Sequence, residues 1–312
     1  MIRATAPGKI ILLGEHAVVY GRPAIAVPVH QVHASADLVA RPERAAGQIY
    51  LEAPDTGTRV WLHEAEPGEP VALAVRITLD ACRAQDPPAF DLTVTSEIPM
   101  AAGLGSGAAV SVAVVRAVSR FLQVDLTPAE QSALVYEVEK IHHGTPSGID
   151  NTVITFGEPV YFMRGRPPST FRPGGRFRFV IADTGLPSST AQAVSQVREA
   201  HKAKPSVFDE IFDEIGRLVE QGRSALESGD APGLGHLMDR NQEKLAAIGV
   251  SSAELESLVQ AARAQGALGA KLSGGGLGGN MIALTPPGKT EPITEALKAA
   301  GAARLIVTEV AR

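Results

Sequence analysis

Pro99-Met100-Ala101-Ala102-Gly103-Leu104-Gly105-Ser106-Gly107-Ala108-Ala109 runs directly into Val110-Ser111-Val112-Ala113-Val114-Val115. Between 103 and 107, three glycines and a serine fall within five positions. The alternating stretch Phe90 to Ser96 reads as a strand entering this turn, and an apolar helix from about Ala108 to Leu122 leaves it. Glycines there permit positive φ and close backbone approach. The first N–H groups of the helix have no partner inside it, and the helix dipole favours negative charge at that end. The turn therefore has the build of an anion cradle. It is not a Walker A loop, because no Lys-Ser or Lys-Thr follows the last glycine, and it is not the dinucleotide fingerprint either. Such turns also occur as plain packing devices, so the rest of the chain has to supply the other parts of a phosphate site.

Upstream, residues 2 to 40 alternate and carry β-branched residues. They read as strands at Ile10–Leu13, Ala24–Val29 and Val32–Val39, broken at Gly14-Glu15-His16 and at Tyr20-Gly21-Arg22-Pro23. The segment to about Pro70 is polar and rich in breakers, which predicts short exposed strands and loops. Residues 71 to 84 show helical spacing. Downstream, Thr127-Pro128-Ala129-Glu130 is a capping-box start with proline at the first helical position. That helix should reach about His142. A loop then carries Pro146-Ser147-Gly148-Ile149-Asp150-Asn151, and strands are expected at 152–156, 159–163 and 176–183.

The pattern changes near residue 185. Helical periodicity marks 189–202, 206–228, 231–247 and 252–265. After Gly266 come a strand, the turn Ser273-Gly274-Gly275-Gly276-Leu277-Gly278-Gly279, a strand at 281–285, a helix at 291–300 and a strand at 304–310. Strands mixed with segregated helices predict an α+β chain of two domains, 1–185 and 186–312.

The 312 residues are 45% hydrophobic and 20% charged with a net charge of −5, an ordinary globular composition. There is no basic excess to suggest nucleic acid as a partner. No apolar run is long enough to cross a bilayer. The N-terminus lacks the layout of a signal peptide, so a cytoplasmic protein is expected. The single cysteine, Cys82, excludes an internal disulfide and reads as a small core residue in an apolar helix.

Several residues could carry chemistry. Glu139 falls near the C-terminal end of a helix, where the dipole disfavours an acid, so a cation should compensate it. Asp150 lies in a loop of small residues and could project into a cleft. Lys9 enters a strand that should be buried, and a buried ammonium needs an acid; Asp150 is one candidate. His16 follows Glu15 in a glycine-bounded break. His142-His143 lacks further ligands at zinc spacing. Ser106 has no G-x-S-x-G elbow around it, so its hydroxyl suits phosphate or Mg²⁺ better than acyl transfer. Each acid alone is equally a solvated surface group, and the Asp209/Glu210/Asp213/Glu214 cluster reads as a solvated helix face. The second glycine turn has more glycines than a hairpin needs, which suggests close approach of something else, such as a second surface against the same ligand. Together the parts fit phosphoryl transfer: donors around phosphates, oxygens for Mg²⁺, a cation and an acid.

At this point the chain resembles a known family. Pro7-Gly8-Lys9-Ile10-Ile11-Leu12-Leu13-Gly14-Glu15-His16-Ala17-Val18-Val19-Tyr20-Gly21 is similar to the first signature of the GHMP small-molecule kinases. The turn at 103–109 resembles the second signature, and Lys271-Leu272 with Ser273–Gly279 the third. They occur in family order and cover essentially the whole chain. The run from Gly14 to Gly21, the Pro146–Asn151 loop, Asp183-Thr184-Gly185, Ser189-Thr190 and Met238-Asp239-Arg240-Asn241-Gln242 look most like the branch that acts on mevalonate.

That resemblance implies ATP-dependent phosphorylation of the 5-hydroxyl of mevalonate. It implies Asp150 as catalytic acid-base, with Lys9 beside it. Pro99, Ala102, Gly103, Leu104, Gly105, Ser106, Gly107 and Ala108 would hold ATP, and Glu139 with Ser106 would hold Mg²⁺. Glu15, His16, Ser147, Gly148, Thr190 and Gly275 would line the substrate side. The implied fold is a ribosomal-protein-S5-like N-terminal domain and a ferredoxin-like C-terminal domain with the site between them. The implied partners are mevalonate and ATP, with a homodimer allowed. One departure stands out. The family usually has a second serine that reaches the metal, and here that position is Gly107. The alternatives are a kinase acting on a related acid, either a mevalonate 3-kinase or a phosphomevalonate kinase, or a non-catalytic nucleotide binder.

Overall fold

The structure, a computed structural model, describes residues 1–99, 102–143, 146–187 and 190–311. The chain divides into two compact units: residues 1–8, 32–99 and 105–157 form the first, and 9–31, 100–104 and 158–312 the second.

The strands β1 (Ile2–Leu13) and β2 (Ala24–Ala40) each begin in one unit and end in the other, and they pair with each other. Two separate strands are expected in the second stretch, but β2 is one strand of 17 residues. The polar pair His30-Gln31 separates the two expected strands, yet both residues are extended, between the buried Val29 and the half-buried Val32. In the first unit, β3 (Ile49–Ala53) pairs antiparallel with β4 (Thr58–Trp61) and parallel with β5 (Phe90–Ser96), and β5 pairs with Ala34–Ala40 of β2. Helices α1 (Pro70–Ala81), α2 (Ser106–Phe121), α3 (Pro128–His143) and α4 (Ile149–Phe156) pack on one another. Leu38, Leu51, Phe90, Leu92, Val112, Val115, Val135 and Val153 fill this core. Thr127 and Glu130 form the expected capping box at α3: the Thr127 N–H donates to Glu130 Oε2 at 2.8 Å, and the Glu130 N–H donates to Thr127 Oγ1 at 3.3 Å. Cys82 caps the end of α1 half-buried, outside the core it was expected to join.

Helix α4 overturns the strand expected at 152–156. Thr152, Val153, Ile154 and Thr155 are β-branched and favour strands. Gly148 in the left-handed conformation (φ 91°) starts the helix, and Gly157 (φ 67°) ends it. The Thr152 hydroxyl turns back to donate to Gly148 O at 2.6 Å, and Asn151 Nδ2 donates to Ser132 O at 3.0 Å. Local capping and burial outweigh strand propensity here.

The second unit holds the N-terminal half of β2, paired with β6 (Val160–Phe162), and β7 (Ser169–Thr170), paired with β6. Its main feature is a four-stranded antiparallel sheet built from β8 (Phe177–Asp183), β9 (Gly269–Ser273), β10 (Asn280–Thr285) and β11 (Arg304–Val310), in the order β11-β8-β10-β9. Counted along the chain, that order is 4-1-3-2, the arrangement of a ferredoxin-like sheet. Between β8 and β9 run α5 (Thr190–Ala203), α6 (Pro205–Ser228), α7 (Ala231–Ala247) and α8 (Ala253–Ala264); α9 (Thr290–Ala299) precedes β11. The core of this unit includes Phe212, Ile215, Leu245, Val250, Leu258, Leu272, Met281 and Leu297. The acidic cluster on α6 lies on a solvated face as expected, and three of its members also pair with basic side chains. Arg22 Nε donates to Asp213 at 2.9 Å, His201 Nε2 lies 3.2 Å from Asp209, and Glu214 pairs with Lys244. No helix among the described residues is long and apolar enough to cross a membrane.

Candidate active site

In the first unit, α2 begins at Ser106 after Gly105, which sits in the left-handed conformation (φ 76°). The Ala109 N–H is the first to bond back, to Gly105 O at 2.9 Å. The N–H groups of Ser106, Gly107 and Ala108 thus have no carbonyl four residues back within the helix. The Ser106 hydroxyl lies 3.3 Å from that of Ser96 at the end of β5. Glu139 comes from the neighbouring α3 and is only 6% exposed. A β-carbon placed on Gly107 would sit 3.5 Å from Glu139 Oε1. Gly107 is itself exposed. The turn and the buried carboxylate are therefore neighbours, with no side chain at position 107 between them.

Asp150 stands in the first turn of α4, half-buried, where the helix dipole favours a negative charge. It leads a helix instead of preceding a strand. Gly148 caps that helix, and Ser147 Oγ accepts from the Ile149 N–H at 3.3 Å. So Gly105, Ser106, Gly107, Ala108, Glu139, Ser147, Gly148 and Asp150 all belong to the first unit, together with Pro99, half-buried at its edge.

In the second unit, Lys9 is 3% exposed, as its place in an apolar strand demands, and its N–H donates to Leu104 O at 2.9 Å. Asn280 Nδ2 donates to Ala102 O. Gly103 takes a φ of 76°, and a β-carbon there would meet nothing nearer than Ser273 O at 3.8 Å. The start of the first glycine turn is thus pinned by β1 and β10. Glu15 and His16 follow β1. Glu15 is 1% exposed and forms an ion pair with the fully buried Lys271 of β9. Asn241 Nδ2 of α7 donates to the other carboxylate oxygen at 3.2 Å. Burial raises the Glu15 carboxyl and lowers the Lys271 ammonium, and the ion pair opposes both shifts.

His16 Nε2 lies 2.9 Å from Gly275 O. A carbonyl only accepts, so Nε2 carries the proton. Burial holds the ring below the usual histidine range. The backbone at His16 has φ 61°, a costly conformation for a side-chain-bearing residue. Gly275 packs against Thr190, whose Cα would lie 3.1 Å from a β-carbon at 275. The structure therefore gathers Glu15, His16, Gly275 and Thr190 in one place.

The rest of the second turn joins β9 to β10. A β-carbon at Gly276 would overlap Val250 O at 2.2 Å, and one at Gly278 would meet Leu186 O at 3.0 Å. What approaches these glycines is the protein's own backbone. Sequence reasoning passed over Lys271, Asn241, Ser273 and Asn280 as individual contributors. Lys271 and Ser273 lie two residues apart in a strand and are both buried, a same-face polar pair that could have drawn notice. Met100, Ala101, Gly144, Thr145 and Ser189 lie outside the described residues, as do the side chains of His142 and His143. Among the described residues, no three acids, histidines or cysteines gather as a metal cluster.

Comparison with known proteins accounts for these features. The GHMP kinases N terminal domain matches residues 71–158, and the GHMP kinases C terminal domain matches residues 223–303. The chain belongs to the GHMP kinase family. Within it, the chain is most like the mevalonate kinases. It is 38% identical to the mevalonate kinase of Thermococcus sibiricus and 36% identical to that of Pyrococcus horikoshii, in each case over 100% of this chain and 96% of the relative. It also superposes on the crystal structure of L. major mevalonate kinase in complex with R-mevalonate. There the TM-score is 0.85 and the identity 31%, covering 100% of this chain and 96% of that one. The α+β architecture is the two-domain GHMP kinase fold, and the protein is an ATP-dependent kinase.

Proposed function

We propose that the protein transfers the γ-phosphoryl group of ATP to the 5-hydroxyl of (R)-mevalonate. The full-length likeness to mevalonate kinases, one of them holding R-mevalonate, supports the substrate. The observation that carries the chemistry is the buried Glu139 carboxylate beside the open flank of the turn that starts α2. A hard carboxylate oxygen at a helix N-terminus suits a divalent cation bound to phosphates. Mg²⁺ usually keeps waters and phosphate oxygens as most of its ligands, so one carboxylate and one hydroxyl from the protein fit it. When bound, Mg²⁺ would neutralise charge on the transferring phosphates.

In this reading, residues 1–185 supply the ATP-binding part and 186–312 the C-terminal part. Pro99 and Ala102 to Ala108 wrap the triphosphate, with the first N–H groups of α2 aimed at it. Glu139 and Ser106 hold the metal. Asp150 accepts the proton of the attacking hydroxyl, and Lys9 counters the charge that develops. His16, Thr190, Gly275, Ser147 and Gly148 line the mevalonate side, with Glu15 behind them. The protein works in the cytoplasm, as a monomer or as a homodimer.

The test is ADP formation with mevalonate, 5-phosphomevalonate and other small alcohols offered separately. NMR then locates the new phosphate ester. Turnover with mevalonate and a phosphate on its C5 oxygen is expected. A phosphate on the C3 oxygen, or turnover only with phosphomevalonate, would replace the substrate assignment.

A further inference from the structure

Three successive same-face positions of one strand and turn grip the end of β1 and the residues that follow it. Ser273 Oγ accepts from the Ile11 N–H at 3.1 Å and donates to Ile11 O at 2.9 Å. Lys271, on the same face of β9, pairs with Glu15 and also donates to Leu272 O. Gly275 O then takes the Nε2–H of His16. From the other side, α7 holds β9 itself. Asp239 Oδ1 accepts from the Ala270 N–H and Gln242 Oε1 accepts from the Leu272 N–H, each at 2.8 Å. Between those two residues on α7, Asn241 turns to Glu15.

Stability alone does not explain this cluster. A buried ion pair generally stabilises no better than an apolar pair of the same volume. Asn241 is fully buried, and its Oδ1 has no hydrogen-bond partner among the described residues. A buried acceptor left in that state is destabilising. His16, the next residue along from Glu15, also sits at a positive φ. Three costly features packed against one side chain mark a place where geometry is held for a purpose.

We propose that Lys271 and Asn241 are positioning residues. Through the buried Glu15 carboxylate they hold the adjoining residue His16 against Gly275 O, which accepts the Nε2–H and leaves Nδ1 as the hydrogen-bond acceptor for an O–H of the alcohol substrate. The inference rests on the kinase reading above and deepens it: Glu15 acts behind the substrate rather than on it. A neutral ring nitrogen that accepts a hydrogen bond selects a hydroxyl, not a carboxylate.

Removing Lys271 alone would strand a buried carboxylate, so the informative variants are the double replacement Glu15→Gln with Lys271→Met, and Asn241→Leu, which keeps the ion pair. Each is compared with the unaltered protein on the alcohol that protein phosphorylates. Failure of the unaltered protein to use mevalonate therefore counts against the substrate assignment only. Both variants are expected to unfold near the parent temperature and to keep the KM for ATP. Their kcat/KM for the alcohol should fall about tenfold to a hundredfold, the scale of a misplacement near 1 Å. In ¹⁵N spectra taken without substrate, His16 should change from a single Nε2–H tautomer to a mixture. Parent kcat/KM in the stable variants together with an unchanged His16 spectrum would overturn the proposal. If the double variant does not fold, Asn241→Leu decides by the same two readings.

Discussion

Around Gly103 and Gly107 an added β-carbon would find room, at 3.8 Å from Ser273 O and 3.5 Å from a carboxylate oxygen of Glu139. Around Gly275, Gly276 and Gly278 it would run into the protein itself, at 3.1 Å from Thr190, 2.2 Å from Val250 and 3.0 Å from Leu186. The two turns are alike in composition. In the first, the glycines clear space beside a helix N-terminus and a buried acid, the condition a phosphate and its cation need. In the second, they let three segments of backbone close over one hairpin, which carries His16 on Gly275 O. A glycine-rich run thus signals close approach, and only the surroundings say whether a ligand or the chain does the approaching.

The largest effect should come from Asp150→Asn, which leaves both turns as they are. It removes the group that takes the proton, so kcat should fall by about 10²–10⁴-fold while an ATP analogue binds the first turn as before. Stopped-flow turnover and calorimetric binding read the two separately; near-parent turnover would show that Asp150 is not the base. Next is Gly276→Ala, which combines a positive φ with an overlap on backbone and should cost about 3 kcal/mol or more of stability. Chemical denaturation would measure it, and a loss under about 1 kcal/mol would mean the second turn is not closed by packing.

Gly107→Ser is the counterpart in the first turn. Its backbone needs no positive φ and its flank is open, so stability should change by less than about 1 kcal/mol. The new hydroxyl beside Glu139 should tighten binding of Mg²⁺ together with an ATP analogue, measurable by calorimetry without turnover. Weaker binding would contradict the open-flank reading. The smallest effect concerns pH. The His16 ring lies below the ordinary 6.5 because it is buried. The unfolded chain therefore takes up the proton first. Stability should be level above about 6.5 and decline as pH falls from 6.5 toward the folded value. His16→Gln should flatten that slope in thermal melts, and an unchanged slope would place its origin elsewhere.

Much of this was legible from residues alone. The strand Phe90–Ser96, the helix 231–247 and the final strand 304–310 fall where periodicity and breakers put them. The burial of Lys9 followed from an ammonium set in an apolar strand. Helix α4 was not legible, because four β-branched residues in a row speak for a strand, while the deciding contacts, Asn151 to Ser132 among them, come from 19 residues away. The Glu15–Lys271 pair was hidden for the same reason: its partners are 256 residues apart, and a charged residue in sequence looks solvated until the fold encloses it.

The account turns on the different duties of the two glycine turns, and hydrogen exchange on the intact protein tests this most directly. With Mg²⁺ and a non-hydrolysable ATP analogue, amides in the peptide covering 102–109 should slow while those in 273–279 stay near their free rates. Adding mevalonate alone should slow 273–279 instead. Protection of 273–279 by the nucleotide with no change at 102–109 would contradict the account.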